Sequence, residues 1–397
     1  MNDIYGNAMP SSDSIRVYPV QTDVQSFGQL QIRCTTPGLA PIANAVVSIN
    51  QPGAPDHILL QMSTDDNGLT GVAELPAPSP DYSQEPVPEQ PYANYDVSIT
   101  APGYENVLVA NVEILPDVRA VQNTVMKVSS PDTAGQEEYN IPPHTLYGDY
   151  PSKIPEAEIK PTPSTGGIVL PEVVIPEFVV VHDGAPNTGA ANYYVGFLDY
   201  IKNVASSEIY ATWPESTIYA NVLAILSFTL NRVYTEWYRS KGYNFTITSN
   251  TAYDHKWIEG RNIYNNIDFI VDSVFNNYLS RPNVKQPILT QYCDGNRVQC
   301  PNWLSQWGSK RLGDQGYSAI DILRNYYGNS IYINSANSVS GVPSSWPGVN
   351  LSNGSRGQSV RIIQDQLNHI AQNYPAIPKL AVDGSFYGGM VQGIGLA

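Results

Sequence analysis

Residues 199–234 read DYIKNVASSEIYATWPESTIYANVLAILSFTLNRVY. After Trp213-Pro214, residues Ile218, Val222, Ile225, Leu226, Thr229, Val233 and Trp237 recur every three or four positions. That spacing predicts a helix with one apolar stripe, opened near Pro214 and stopped at Lys241-Gly242. The apolar core of the stretch, 220–230, is far too short to span a bilayer. Just ahead of the helix stands Glu208, flanked by Ile209, Tyr210 and Trp213. Partial desolvation there would raise its pKa and let it act as a general acid. A lone acid before a helix is nonetheless more often a solvated or capping residue.

Outward from this stretch, PEVVIPEFVVVHDG reads as strands, 262–279 as a helix and Tyr317–Tyr327 as another. The middle helix turns Ile263, Ile267, Ile270, Val271, Val274 and Phe275 inward. Upstream, Gly28–Val128 is a series of short β-rich runs separated by turn signals such as DDNG, which indicates an antiparallel β-sandwich. Cys34 falls on one of its strands and reads as a small buried hydrophobe. Residues 129–173 carry many Pro, Gly and acids without periodicity and read as an extended linker, with His144 a solvated loop residue. Residues 331–349 read as a second linker. Val360, Ile363, Leu367 and Ile370 mark a short amphipathic helix in the tail.

At 397 residues, 42% hydrophobic and 14% charged, the chain is long enough for two or three folded domains. The net charge of −15 sits wholly in residues 1–173, with 21 acids against 6 bases; the remainder balances at 15 against 15. A chain without a basic stripe is not a phosphate-tracking nucleic-acid binder. Its neutral part, rich in Tyr, Trp and Asn, suits an uncharged polar ligand such as a glycan, although Tyr and Asn also populate ordinary turns and surfaces. The N-terminus has neither a basic n-region nor an apolar h-region, so no ordinary secretion signal is expected.

The stretch 291–308, QYCDGNRVQCPNWLSQWG, holds two of the three cysteines. Cys293 and Cys300 are spaced more widely than a zinc knuckle requires, and zinc needs further ligands, for which Asp294, Asp254 or His255 are candidates. A hairpin disulfide explains the pair with fewer parts in an oxidising compartment. Both readings stay open. Gln306 and Trp307 line a sugar groove or form core aromatic plus turn.

Four motifs in one order resemble the stage II sporulation protein D (SpoIID) domain: DYIKNVASSEIYATWPE, ANVLAILSFTLNRVY, ITSNTAYDHKWIEGR and LSQWGSKRLGDQGYSAIDILRNYYG. The likeness covers about 175–330. It implies an α+β catalytic domain over 174–330 with lytic transglycosylase activity, cutting peptidoglycan glycan strands between N-acetylmuramic acid and N-acetylglucosamine. The family's catalytic glutamate falls on Glu208. Its role would be acid to the leaving oxygen, then base for the muramic 6-hydroxyl, giving a 1,6-anhydro ring. Gln306, with Ser305, Trp307, Tyr253 and Asp254, would bind substrate. No cofactor is required, but some members bind zinc near the cleft, which keeps Cys293, Cys300 and His255 as candidate ligands beside the disulfide. Leu226 and His255 depart from the family's Arg and Gln, and QYCDGNRVQC replaces its small-residue loop.

The pieces of 28–128 resemble carboxypeptidase-regulatory-like or transthyretin-like sandwiches, which implies a spacer or adhesive unit. NGSRGQSVRIIQDQL with VDGSF resembles the start of a small helical peptidoglycan-binding module, incomplete over 350–397. The expected architecture is therefore multidomain: a tail over 1–27, the sandwich, a linker, the catalytic domain, a linker and the incomplete module. The expected location is the cell wall, the spore or the sporulating mother cell.

Overall fold

The computed structural model describes residues 14–16, 26–129, 135–160, 172–336 and 338–339, and in the tail 352–357, 360–361, 363–364, 367–368 and 379–386. Residues 1–337 and 338–397 are two compact units. Among the described residues the first unit is a sheet-rich mixed α/β body with five α-helices.

Its N-terminal strands are β1 (Ser14–Arg16), β2 (Ser26–Thr35), β3 (Val46–Asn50), β4 (Ile58–Ser63), β5 (Val72–Ala77), β6 (Ala93–Thr100), β7 (Asn106–Ile114), β8 (Arg119–Val125) and β9 (Gln136–Asn140). Alternation drives them together: Leu30, Ile32 and Cys34 on β2, and Val47, Val97, Ile99, Val107 and Val109 on β3, β6 and β7, are buried while their neighbours are not. Burial pushes the Cys34 thiol up to about 12, as expected of a small apolar filler. The DDNG turn closes with Asp65 Oδ1 accepting from the backbone N–H of Asn67 and Leu69, both at 2.9 Å.

The continuation runs β10 (Val174–Ile175), β11 (Phe178–His182), β12 (Asn192–Gly196), α1 (Phe197–Glu208), α2 (Glu215–Tyr234), β13 (Ile247–Thr248), β14 (Ile263–Tyr264), α3 (Asn265–Val274), β15 (Asn277–Ser280), β16 (Tyr292–Cys293), β17 (Leu304–Ser305), α4 (Gln306–Asp314), α5 (Ala319–Tyr327) and β18 (Tyr332–Ser335). Five-stranded sheets run in the orders β1-β5-β2-β8-β14 and β4-β3-β6-β7-β9. Neither is purely antiparallel, because β1 with β5, β2 with β8 and β7 with β9 pair in parallel. Long crossovers make this possible, since parallel neighbours cannot be joined by a tight turn.

Each sheet ends on a strand from outside 28–128. The two sheets are therefore continuous with the downstream chain. The Arg261 guanidinium reaches Glu113 at 2.6 Å with both groups fully buried, Asn262 exchanges hydrogen bonds with the Glu113 backbone, and Gln122 Nε2 donates to the Gly260 carbonyl at 3.0 Å. Removing one partner of such a buried pair costs about 3–5 kcal/mol.

Of the expected linker over 129–173, the stretch 135–160 also belongs to the body, while 130–134 and 161–171 lie outside the described residues. Ile141, His144, Leu146, Tyr150 and Lys153 are buried, and β9 extends a sheet. Residues 141–160 form a strap held by reciprocal bonds between Gln291 and the backbone at 154 and 156, by Arg232 on Glu156 at 2.6 Å and by Arg281 on Glu158 at 2.7 Å. Periodicity misses such a segment because its apolar residues are buried one at a time along extended backbone. His144, expected in solvent, lies 4.5 Å from the Tyr210 ring, and burial holds its imidazole well below the usual pKa. In the second expected linker, β18 pairs antiparallel with β15.

The helix over the opening stretch differs from a one-stripe surface helix. Sixteen of the twenty residues of α2 are buried, so it is the central rod against which α1, α3, α4, α5 and β15 pack. It ends at Tyr234, and Gly242, at φ +88°, instead closes a later short turn. The 262–279 segment is shorter than expected and flanked by strands: α3 spans ten residues between β14 and β15.

In the tail unit, Val360, Leu367, Leu380 and Phe386 form a small core with Ile363 against it, and Gln364 bonds Asp383, Gly384 and Ser385. Ile370 lies outside the described residues.

Candidate functional site

Glu208 is the last residue of α1, where the helix must stop because Ile209 is extended and the chain turns through Trp213-Pro214 into α2. Its side chain is fully buried. Oε1 accepts the Lys256 backbone N–H at 2.6 Å. Gln306 Nε2 donates to the Glu208 carbonyl at 3.0 Å and lies 3.3 Å from Oε2. The Tyr292 hydroxyl faces the same carboxylate. Burial holds the Glu208 carboxyl above its usual range, against the opposing pull of Lys153 and these donors.

Lys153 comes from the strap. Its ammonium donates to the Asp254 carbonyl and sits 4.7 Å above the Tyr292 ring, and burial lowers its pKa. The strap is further pinned to the end of α1 by Thr145 on the Ser207 carbonyl and to the 293–300 loop by Arg297 on the Leu146 carbonyl. Buried polar atoms near Glu208 have no partner among the described residues: Tyr150 Oη, His255 Nε2 and Gln306 Oε1. Each such atom costs about 1–3 kcal/mol when left dry, so their concentration at one place marks a polar site with unused bonding capacity.

The other expected site residues divide. Ser305 caps α4, its Oγ accepting from the Gly308 N–H at 2.9 Å. Trp307 packs against Trp213 at 5.0 Å and Tyr210 at 6.0 Å, so it is an aromatic wall behind Gln306. The expectation that Asp254 meets a ligand does not fit its surroundings. Arg232 takes Oδ1 at 2.7 Å, and Tyr238 and Thr248 take Oδ2, which leaves it a fully buried internal anchor. Tyr253 is half-buried beside it, its carbonyl accepting from Arg232 at 3.2 Å.

The zinc reading of Cys293, Cys300 and His255 is likewise replaced. The two cysteines are joined in a disulfide, and among the described residues no three of His, Cys, Asp and Glu come together as a metal requires. His255 instead stacks on Tyr292 at 5.7 Å, with Nδ1 3.2 Å from the Tyr200 hydroxyl. Burial, aided by the nearby charges of Lys153 and Arg232, holds its imidazole well below the usual pKa. Asp294 turns the disulfide loop by accepting the N–H groups of Asn296, Arg297 and Val298.

Lys153, Tyr150 and Tyr292 carry no sequence signal of their place near Glu208. Lys153 and Tyr150 lie in YGDYPSKIPEAEIK, whose prolines and acids signal only open chain, and Tyr292 is masked by the adjacent cysteine, whose chemistry dominates the local pattern. Among the described residues no helix is long and apolar enough to cross a membrane.

No family model and no curated protein matches the chain. Solved structures similar to parts of it include the Bacillus anthracis TIE protein, at 17% identity over 26% of this chain and 17% of that one, with a TM-score of 0.19. Hydroxyquinol 1,2-dioxygenase from Pseudomonas putida DLL-E4 matches at 13% identity over 32% of this chain and 64% of that one, TM-score 0.21. Catechol 1,2 dioxygenase from Acinetobacter radioresistens matches at 14% identity over 34% and 65%, TM-score 0.22. The chain thus spans less than two thirds of each of these structures, and likeness at this level carries no functional argument.

Proposed function

We propose that this protein is a peptidoglycan lytic transglycosylase of the cell wall, with Glu208 as its acid and base. The observation that supports it is the convergence on Glu208 of Gln306, from ninety-eight positions away, within a buried shell of unpartnered polar atoms. A carboxyl held above its usual pKa keeps its proton longer as pH rises, which is what protonating a glycosidic oxygen needs. In the reaction, Glu208 gives that proton to the oxygen of the bond leaving C1 of the muramic residue. The resulting carboxylate then takes the proton of the 6-hydroxyl, whose oxygen closes onto C1. No water is consumed, and one carboxylate serves both steps. Gln306 would hold the carboxyl in register through its amide.

The test is incubation of the protein with glycan strands stripped of stem peptides, followed by mass spectrometry for 1,6-anhydro muropeptides. Wild type should yield them and Glu208→Gln should not; equal yields from both refute the assignment.

A second reading, a non-catalytic glycan-binding or spore-surface structural protein, is favoured by one specific observation. Glu208 is closed from solvent beneath the strap, with Lys153 supplying an internal counter-charge. Binding to wall sacculi without any anhydro product would select it.

A further inference from the structure

Where the sandwich meets the helices, a cavity of about 420 Å³ opens between the start of β8, the turn at Pro80–Gln84 and the first residues of α3. Gln29, Gln84, Thr212, Asn265 and Asn266 reach it from separate segments of the chain. Its two charges oppose each other: Asp117 and Arg119 share one wall, and Arg119 Nε donates to Gln29 Oε1 at 3.2 Å. The lining of this cavity therefore carries no net charge, and the cavities beside it add only the acids Glu74 and Glu215, which disfavours a phosphate or a carboxylate as the recognised group.

Asn265 and Asn266 also line a neighbouring cavity of about 460 Å³, whose other walls are largely apolar and include Trp213, Ile218, Phe269 and Ile270. Phe269 is 69% exposed, so its ring face is open to the cavity and free to stack on a ligand. On the opposite side, Gln29 and Asp117 continue into a third cavity. Shared residues set the three side by side along one groove, with an aromatic shelf at one end, side-chain amides along the middle, and the carboxylates of Glu215 and Glu74 in the two outer cavities.

We infer that this groove is a binding site for a neutral linear oligosaccharide, whose sugar faces stack on Phe269 and whose hydroxyl and N-acetyl groups bond the amides. Long chains fit a groove of linked cavities better than a single closed pocket would. Amides both donate and accept, matching hydroxyls, and the apolar shelf matches the C–H face of a pyranose. The site is separate from Glu208. Trp213 stands between them, lining the groove while its ring packs 5.0 Å from that of Trp307, the neighbour of Gln306. Binding here does not depend on the transglycosylase reading.

The experiment is isothermal titration of the full chain with triacetylchitotriose, a neutral β-1,4-linked N-acetylglucosamine trisaccharide. Wild type and Glu208→Gln should bind alike, with a dissociation constant on the order of 1 mM. Phe269→Ala should weaken binding about tenfold, and Asn265→Ala and Gln84→Ala several-fold each, with unchanged melting curves because all three side chains are exposed or half-buried. The inference is overturned if the trisaccharide does not bind, or if Phe269→Ala and Asn265→Ala bind it as wild type does. It is equally overturned if a peptidoglycan stem peptide occupies the groove and the saccharide does not. Loss of binding in Glu208→Gln alone would place the sugar at the other site and also sink it.

Discussion

Gln306 Nε2 stands 3.0 Å from the carbonyl and 3.3 Å from the carboxylate of Glu208, so the first residue of α4 holds both the backbone and the side chain at the end of α1. Replacing it with Ala removes an amide from a buried carboxylate and its carbonyl. We expect Gln306→Ala to lose about 1–3 kcal/mol of stability in urea denaturation. If Glu208 is catalytic, anhydro-product formation should also fall by about tenfold or more in the folded fraction. Gln306→Glu should be worse than Ala, because it sets a second carboxylate against the first.

The pH dependence of stability has a definite sign. Burial lifts the folded Glu208 carboxyl above its unfolded value of 4.5, so above that pH the unfolded chain releases a proton that the folded chain still holds. Stability therefore falls as pH rises from about 4.5 to the folded pKa. Glu208→Gln cannot titrate. Across this window the stability of wild type relative to Glu208→Gln should decline with increasing pH, as measured by urea midpoints at a series of pH values. A flat or rising difference would show that the donors and Lys153 outweigh burial.

The strap can be tested as part of the fold. Arg232 is fully buried and bonded to Asp254 and Glu156 at 2.7 and 2.6 Å. Arg232→Met leaves Asp254 buried without its counter-charge and should cost about 3–5 kcal/mol. Deleting 141–160 should abolish cooperative thermal unfolding as followed by circular dichroism. A true linker could be deleted with the melting transition intact.

The Cys293–Cys300 bridge closes a loop with a sequence separation of seven. Chain-entropy arguments for so short a loop give about 2–3 kcal/mol, so Cys293→Ser with Cys300→Ser should lower the melting temperature by a few degrees. A chelator should leave wild type unchanged, and elemental analysis should find no stoichiometric zinc. One equivalent of bound zinc would restore the metal reading.

Short-range physics was legible in the chain. Alternation and turn chemistry placed β2 to β8, and the spacing of Ile267, Ile270 and Val271 placed α3, because a strand or a helix turn needs only neighbours within a few positions. The position of Glu208 beside Ile209, Tyr210 and Trp213 offered desolvation as one reading against the commoner one of a solvated or capping acid, and it is the buried form that the fold adopts. α4 was overlooked, since Gly308 and Gly313 look like breaks. In the fold they are close approaches, where a Cβ would fall 2.1 Å from Tyr326 Oη and 2.0 Å from Thr217 Oγ1.

The surroundings of Glu208 were settled at long range. Nothing local in YPSKIPEAE says that Lys153 will be buried near a carboxylate, and nothing in TAYDHKW says that Asp254 will be consumed by Arg232. Those outcomes depend on which distant surfaces bury together, and the energy that decides them is shared among contacts more than a hundred positions apart, such as Arg261 with Glu113. Local pattern thus dictates the elements and nominates a carboxylate; the packing of the strap, α2 and the 293–300 loop dictates its charge neighbours, its closure from solvent and the pairing of the cysteines.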